Sequence, residues 1–311
     1  MKLYANLHTH TTHSDGVWSP IELVNVAKNE GYKAVAVTDH DVATGYKELK
    51  AECDKLGLDS IFGVEFSSPF ESLGITYHMT AFNFDPEYPR MKKYLEERSM
   101  SAMYKTKVLF DRGLYEGLIS GITWDEVLEY NDGITWLCNE HVFRAMKAKR
   151  LKTDVDYPEF FRTVYGKRRD EVTELYPFME GEEIIKLVHD AGGIIMIAHP
   201  EMPYGRIEDI PALVDMGADG VEVWHGLLFN EARHKALEMA LKYDLFVSGG
   251  SDHEGLCGGQ YARYEDPTKT RFYKPELSLG TTREFFEEIK SARKFEGRKE
   301  YIKELLAQEE L

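Results

Sequence analysis

Cysteine is scarce in this sequence, with three residues among 311. Cys53, Cys138 and Cys257 lie far apart, and none belongs to a Cys-x-x-Cys pair. A disulfide framework needs an even set of cysteines at closer spacing, so this class of fold is excluded. The sparse cysteines favour a reducing compartment, and we expect a cytoplasmic protein.

Long apolar runs and a surplus of basic residues are also missing. No run approaches the roughly 18–20 apolar residues of a membrane span, and residues 1–7 lack the apolar stretch of a signal peptide. The 38 Lys and Arg against 54 Asp and Glu give a net charge of −16. That balance opposes non-specific binding to nucleic acids or anionic membranes, so we expect neither as a stable partner. A small anionic substrate is still compatible, because bound metal ions invert the local potential.

Short apolar runs rich in β-branched residues recur along the chain, and each ends abruptly in polar residues. Such runs are typical of buried strands, and they occupy residues 2–7, 34–38, 60–64, 75–84, 193–198, 220–224 and 245–248. Helix signals lie between several of them. In the clearest, Ser19 is an N-cap, Pro20 the first helical residue and Glu22 a capping-box partner. The alternation predicts an α/β protein with a parallel sheet or barrel.

The alternation stops between about residues 85 and 180. That stretch instead shows helical patterns at 91–110, 124–130 and 142–150, joined by loops that contain Gly and Asp. We interpret it as a helical insertion over the mouth of the barrel. The predicted organisation is a first barrel part at 1–84, the insertion at 85–180, a second barrel part at 181–290 and a C-terminal helix at 291–311. The sequence leaves the oligomeric state open.

Metal-binding side chains follow the predicted strands. His8 and His10 are two residues apart, so on a strand both imidazoles point to the same side. Barrels of this class place their sites at the carboxyl ends of the strands. The other candidates at such ends are Asp15, Asp39, His40, Glu65, His78, His199, Asp252, His253 and Glu254. Imidazoles and carboxylates without thiolates predict a catalytic centre of several ions rather than a structural zinc site, and they suit Mn²⁺, Fe²⁺ or Zn²⁺.

Six short motifs occur in one order along the chain. They are His8-Thr-His10, Ser14-Asp15-Gly16, Thr38-Asp39-His40-Asp41, Gly63-Val-Glu65, Ala198-His199-Pro200 and Gly249-Gly-Ser-Asp252. In this order they resemble the PHP (polymerase and histidinol phosphatase) family, over about residues 1–84 and 181–260. The resemblance implies a distorted, TIM-like (β/α)7 barrel with two or three divalent metal ions. It also implies phosphate-ester hydrolysis, as in the stand-alone phosphoesterases of the family that carry a helical insertion.

The resemblance also implies a division of the ligands among three ions. The first ion would take His8, His10, Glu65 and Asp252, and the second would share Glu65 and add His78 and His199. The third would take Asp15, His40 and one ligand from the last motif. Family members read Gly-Ser-Asp-x-His-Gly there, whereas this chain places His253 in the variable position and Glu254 where the histidine is expected. Either residue is a candidate for the last ligand.

Substrate contacts are expected from two further places. Family members with a long insertion carry Arg-x-His before a helix, and this chain has Asn139-Glu140-His141 instead, so His141 is a candidate without its arginine. Arg206 is a candidate phosphate clamp, since a guanidinium matches phosphate oxygens in pairs. The alternative for Arg206 is an ion pair with Glu208 or Asp209.

The predicted reaction is the hydrolysis of a small phosphate ester, namely a nucleotide, a sugar phosphate or a short phosphodiester. A hydroxide shared by two ions would attack phosphorus. Asp252 would take up a proton, and His253 or His225 would protonate the leaving oxygen. Two alternatives keep the metal site: hydrolysis of amides or lactones, as in amidohydrolases, and a regulatory PHP module that binds metal without catalysis.

Overall fold

Seven strands form one sheet whose order follows the chain. The computed structural model describes residues 3–149, 157–201, 205–253 and 279–309. The strands are β1 (Ala5–Asn6), β2 (Ala34–Val37), β3 (Asp59–Phe70), β4 (Ile75–Phe82), β5 (Ile194–Ile197), β6 (Gly220–Trp224) and β7 (Phe246–Gly249). The two edges of the sheet meet, because Leu7 N–H donates to the Gly249 carbonyl at 3.1 Å and Asp252 N–H to the His8 carbonyl at 2.9 Å. The sheet is therefore nearly closed into a barrel, as the sequence predicts.

One strand departs from the parallel arrangement that the sequence predicts. β4 runs antiparallel to both β3 and β5, whereas β1–β3 and β5–β7 are parallel. β3 and β4 are joined by a tight turn, in which Gly74 adopts a left-handed backbone conformation (φ 66°) and its N–H donates to the Phe70 carbonyl at 2.9 Å. The run at 60–64 also continues to Phe70 instead of ending at Glu65. This hairpin is the distortion of the barrel.

Helices cover the outside of the barrel where the strand–helix alternation predicts them. They are α1 (Pro20–Asn29), α2 (Tyr46–Leu56), α7 (Gly181–Asp190), α8 (Ile210–Asp215) and α9 (Asn230–Tyr243). The capping box of α1 is confirmed: Glu22 N–H donates to Ser19 Oγ at 3.2 Å, and Ser19 N–H donates to the Glu22 carboxylate at 2.8 Å. These helices bury their apolar faces against the strands, which fixes the strand ends that carry the candidate site.

The segment between β4 and α7 is helical, as predicted. It comprises α3 (Pro89–Tyr115), α4 (Trp124–Tyr130), α5 (Asn139–Ala148), the short α6 (Tyr157–Phe160) and irregular helical turns at 161–171. It has a hydrophobic cluster of its own, which runs from Leu109 to Val172, while the first turns of α3 pack against the barrel core. The exact limits of the insertion remain a prediction.

Two C-terminal helices, α10 (Arg283–Ser291) and α11 (Arg298–Glu309), pack on the barrel. Phe285 and Ile302 are fully buried in its core, and a buried ion pair joins Arg298 Nε to Glu288 Oε1 at 2.7 Å. The tail is therefore part of the packed fold. Among the described residues, no helix combines the length and the apolar character that crossing a bilayer requires.

Candidate metal centre

The carboxyl ends of the strands bring the predicted ligands together at one end of the barrel. His8 and His10 follow β1, His199 follows β5 and Asp252 follows β7. Glu65 lies within β3, where its carboxylate is fully buried. A fully buried carboxylate without compensation is costly, so the groups around it decide what the site does.

Five imidazoles surround the Glu65 carboxylate. Each places one ring nitrogen within 3.2 Å of a Glu65 oxygen: His8 Nε2 (3.2 Å), His10 Nε2 (3.2 Å), His40 Nδ1 (3.1 Å), His78 Nδ1 (3.1 Å) and His199 Nε2 (3.0 Å). Asp252 joins the cluster from the other side, with Oδ1 at 2.9 Å from His10 Nε2. Imidazole and carboxylate atoms at such mutual distances form sets that a divalent ion can bridge.

Three groups of donor atoms coincide with parts of the predicted ligand sets. In each, the ligand atoms lie within 4.8 Å of one another, and the groups are His8–His10–Glu65–Asp252, His10–Asp15–His40 and His40–Glu65–His78. The first equals the set expected for the first ion. The others contain predicted ligands of the second and third ions, although His40 and His78 share a group that the resemblance does not imply. Which ion each ligand holds remains a prediction.

The donor atoms in this cluster fit a cation. His8 Nε2, His40 Nδ1 and Glu65 Oε2 are buried and make no hydrogen bond, although the facing atoms are close. Buried polar atoms are normally satisfied, and lone pairs that face one another need a proton or a metal ion between them. Among the described ion pairs of the cluster, none brings in a lysine or an arginine.

The pKa shifts in the cluster also show that its carboxylates favour positive charge on the neighbouring imidazoles. Burial alone lowers the pKa of His8, but Glu65, Glu222 and Asp252 outweigh it and raise that pKa well above its ordinary value. In His40, burial again opposes charging, but Asp15 and Glu65 raise the pKa to about 9. Without metal, His8 and His40 would therefore carry protons, and a divalent ion would replace them.

Glu222 is the residue that sequence reasoning missed. It lies in the middle of β6, is buried, and places both carboxylate oxygens 3.2 Å from His8 Nδ1. A proton on Nδ1 therefore leaves the lone pair of His8 on Nε2, which faces Glu65. Glu222 also accepts the His199 N–H at 2.9 Å. Although Glu222 forms a group with His8 and His225, this geometry makes it an orienting partner rather than a ligand. A lone charge inside an apolar strand was the available signal.

Asp39, one of the candidates at the strand ends, holds the loop that follows β1. Its carboxylate accepts the Thr11 N–H and the hydroxyls of Thr11 and Ser14, each at 2.7 Å. Ser14 Oγ in turn lies 3.4 Å from His10 Nδ1. The carboxylate therefore fixes the loop that carries Asp15 without reaching the ligand atoms itself.

The backbone around the ligands is tightly constrained. His199 and Asp252 have positive φ angles of 26° and 51°, which side chains other than glycine rarely adopt. Gly16 and Gly250 allow close approach: a Cβ on Gly16 would lie 2.4 Å from the His10 carbonyl, and one on Gly250 would lie 2.3 Å from His8 Cβ. Gly16 and Gly250 are thus required because a side chain at either position would collide with His10 or His8.

The two candidate proton donors occupy different surroundings. His225 accepts the Leu227 N–H on Nδ1 at 3.1 Å, which leaves its proton on Nε2, 3.2 Å from Asp252 Oδ2. His253 stacks on Trp18, with ring centroids 4.4 Å apart, and burial lowers its pKa to about 4. Its ring belongs to none of the described ligand groups. Glu254, the other candidate for the last ligand, lies outside the described residues.

The two expected substrate contacts are engaged within the chain. His141 is fully buried; its Nδ1 accepts the Cys138 N–H at 3.0 Å, and Nε2 lies 2.9 Å from the Thr12 carbonyl. Both nitrogens are thus engaged within the chain, Nε2 in docking α5 on the loop that follows β1, and a contact of His141 with substrate remains a prediction. Arg206 shows the alternative arrangement: its Nε donates to Asp209 Oδ2 at 2.6 Å and Nη2 to the Leu73 carbonyl at 2.9 Å.

Comparison with known proteins agrees with this geometry. Residues 6–157 match the PHP domain. A 5′-3′ exoribonuclease of Haemophilus influenzae is 30% identical over 263 residues, which cover 81% of this chain and 90% of that protein. A phosphoribosyl 1,2-cyclic phosphate 1,2-diphosphodiesterase of Eggerthella lenta is 26% identical over 266 residues, covering 81% and 95%.

A solved structure extends the similarity to nearly the whole chain. A predicted metal-dependent phosphoesterase from Bifidobacterium adolescentis superimposes with a TM-score of 0.75 at 26% identity, covering 95% of this chain and 98% of that one. The motifs resemble the PHP family, the strands form its barrel, and the relatives are named for cleaving phosphoester bonds. This chain belongs to the PHP family and is a metal-dependent phosphoesterase.

Proposed function

We propose that the protein hydrolyses small phosphate esters at a centre of two or three divalent ions. The observation that carries this proposal is the single buried carboxylate of Glu65 among five imidazoles. A carboxylate so placed can share its two oxygens between neighbouring ions, which is the arrangement of a two-metal hydrolase. The relatives that cleave a ribonucleic acid and a cyclic phosphate support phosphoester substrates.

The residues present would hold the ions in the predicted order. His8, His10, Glu65 and Asp252 form the most buried set and would hold the first ion. His78 and His199 both approach Glu65 Oε1, at 3.1 and 3.0 Å, and would hold the second beside it. A third ion would lie near Asp15 and His40, with a last ligand still to be assigned. Mixed nitrogen and oxygen donors suit Mn²⁺, Fe²⁺ or Zn²⁺.

Bound divalent ions supply an activated water and neutralise charge on the phosphate oxygens. Side chains of the protein would accept and deliver the protons of the reaction. Asp252 Oδ2 faces the Nε2 proton of His225 at 3.2 Å, so this pair can hold a proton beside the reacting centre. Asp252 would accept a proton and His225 would deliver one to the leaving oxygen. His225 is favoured over His253 for this role, because its Nε2 faces Asp252 Oδ2, whereas burial lowers the pKa of His253 to about 4.

The test is phosphate release by Mn²⁺-loaded protein from a panel of phosphate esters. The panel holds nucleoside monophosphates, 3′,5′-bisphosphates, sugar phosphates and cyclic phosphodiesters, with coupled detection of the monoester that a diester yields. Asp252→Asn serves as the blank. His234→Gln is the matched control, since it removes a partly exposed imidazole on α9 that pairs with Glu238.

Turnover that Asp252→Asn abolishes and His234→Gln preserves is the expected result. Turnover of amides or lactones in a parallel panel, with no phosphoester cleaved, would contradict the proposal. So would stoichiometric metal binding, measured by elemental analysis, without turnover of any ester, since that result defines a regulatory module.

A further inference from the structure

Trp136 differs from the other tryptophans of the chain in what surrounds it. Trp18, Trp124 and Trp224 each pack against one of the hydrophobic clusters. Trp136 is partly buried, yet among the described residues none of the four clusters includes it. Its indole lies against the imidazole of His40, with ring centroids 6.3 Å apart and planes inclined by 30°. Large aromatic rings usually pack in the core or at an interface, so a ring that lies outside the core and beside a candidate ligand indicates a role in binding.

The segment that carries Trp136 is held by α3 on one side and by the barrel on the other. The next residue, Leu137, is fully buried, and its carbonyl accepts the Thr106 hydroxyl at 2.8 Å. Two turns of α5 then dock on the loop that carries Asp15: His141 contacts the Thr12 carbonyl at 2.9 Å, and Arg144 donates to the Gly16 carbonyl. The indole therefore has a defined position at the edge of the metal centre before any substrate arrives.

We propose that Trp136 is a specificity-determining residue whose indole stacks on the base of a nucleoside phosphate. This inference rests on the proposed phosphoesterase function. His40 lies between the Glu65 carboxylate and the indole, so an ester whose phosphate binds at the Glu65 cluster would have its remaining part within reach of Trp136. Aromatic side chains bind nucleobases face to face, because every base offers a planar π surface. The insertion would thus select base-bearing esters over esters of bare sugars.

The binding test uses tryptophan fluorescence of the metal-loaded protein. Adenosine 5′-monophosphate should quench the emission, whereas ribose 5-phosphate, which has the same phosphate and no base, should not. Trp136→Phe should remove the quenching, while Trp124→Phe, a tryptophan of the insertion core, should preserve it. Equal quenching by both ligands, or quenching that survives Trp136→Phe, would overturn the proposal. This readout does not depend on turnover.

The kinetic test uses whichever nucleotide the panel shows to be cleaved, beside its base-free counterpart. Trp136→Ala should lower kcat/KM for the nucleotide about 10- to 100-fold, mostly through KM, and leave the base-free ester within about twofold. Trp136→Phe should restore most of the loss. Equal losses on both esters would show that the ring only positions His40, and no loss on either would exclude a contact; both results overturn the proposal. Wild-type protein that cleaves no ester would instead refute the proposed function, and the fluorescence test would still decide the role of Trp136.

Discussion

The barrel end and the insertion shift the pKa values of their buried histidines in opposite directions. In the barrel, carboxylates outweigh burial and raise the pKa of His8 and His10 well above the ordinary value. In the insertion, burial lowers the pKa of His141 to about 3, while burial and the nearby Asp15 raise the pKa of Glu140 to about 7. The barrel gathers groups that need a cation, whereas in the insertion His141 is neutral, Glu140 is only partly ionised at pH 7, and both bond to Cys138.

This contrast separates two tasks. Opposed charges in the barrel create an affinity for metal ions, and their cost of burial is tolerated because the ions compensate it. The imidazole of His141, at the start of α5, only has to satisfy its hydrogen bonds with the Cys138 N–H and the Thr12 carbonyl. Chemistry is thus expected from the barrel and substrate choice from the insertion. Carboxylates, histidines and arginines from the two regions allow this division to be tested.

The largest effect is expected from the buried carboxylates. Glu65→Gln removes the charge that five imidazoles face, so turnover should fall by at least about 1000-fold and bound metal should be lost. Glu140→Gln, in the insertion, replaces a carboxyl whose pKa of about 7 leaves it only partly ionised at pH 7. This change should leave turnover within about threefold. Phosphate release and elemental analysis measure both variants. Equal losses in the two variants would contradict the division of tasks.

A smaller effect is expected from the partner of His8. Glu222→Gln weakens the hold on the His8 Nδ1 proton, and loss of such partners lowers metal affinity about 10- to 100-fold. The expected signature is activity that excess Mn²⁺ restores, because the ligands themselves remain. Glu238→Gln removes an exposed carboxylate of α9 and is the control. Activity that no concentration of metal restores would show that Glu222 acts in catalysis itself.

Metal affinity should also depend on pH, with a sign that the pKa shifts fix. At pH 7 the raised pKa values keep His8, His10 and His40 protonated in the metal-free protein, and a metal must displace those protons. Affinity should therefore rise with pH, by up to about tenfold per unit for each proton displaced, and the contribution of His40 should end as the pH passes its pKa of about 9.

Calorimetry in buffers of different ionisation enthalpy counts the protons released. His40→Gln should reduce that number by about one at pH 7. His141→Gln should not change it, because burial already keeps that imidazole neutral. Metal binding without proton release would show that the cluster holds its histidines neutral, and the electrostatic contrast between the two regions would then disappear.

The clustering of the candidate ligands could be predicted from the sequence because local rules fix their positions. His8 and His10 point to one side at strand spacing, and the ends of neighbouring strands meet at one edge of the barrel. Asp252 comes from 242 residues beyond His10, yet it reaches His10 Nε2 at 2.9 Å because β7 closes against β1. The family resemblance added the order of the motifs, and the structure places six of the predicted ligands around Glu65.

The rest could not be predicted because it depends on contacts between distant parts of the chain. No local sequence pattern shows that β4 turns back on β3, or that both ring nitrogens of His141 bond within the chain. Glu222 left a readable signal, a charge within an apolar strand, but its partner His8 lies 214 residues away. The sequence held no comparable signal for Trp136, because its proposed role is inferred from the lack of core packing around its indole.

The smallest effect is expected from Arg206, and it separates the sequence interpretation from the structure. Its guanidinium is partly exposed and already bound to Asp209 and the Leu73 carbonyl, so Arg206→Ala should change kcat/KM by less than about twofold. Arg144→Ala removes the donor to the Gly16 carbonyl that docks α5, so KM for a nucleotide should rise several-fold as the indole of Trp136 loses its fixed position.

Steady-state kinetics of the two arginine variants on one nucleotide decide between the regions. A phosphate clamp acts on every ester alike, because it binds the group that all substrates share. A docking arginine acts only through the insertion, so its loss should spare the base-free ester. A tenfold rise in KM for both esters in Arg206→Ala would mean that the guanidinium leaves Asp209 for the substrate. The barrel would then take part in binding as well as in chemistry, and the insertion would no longer be the sole source of substrate choice.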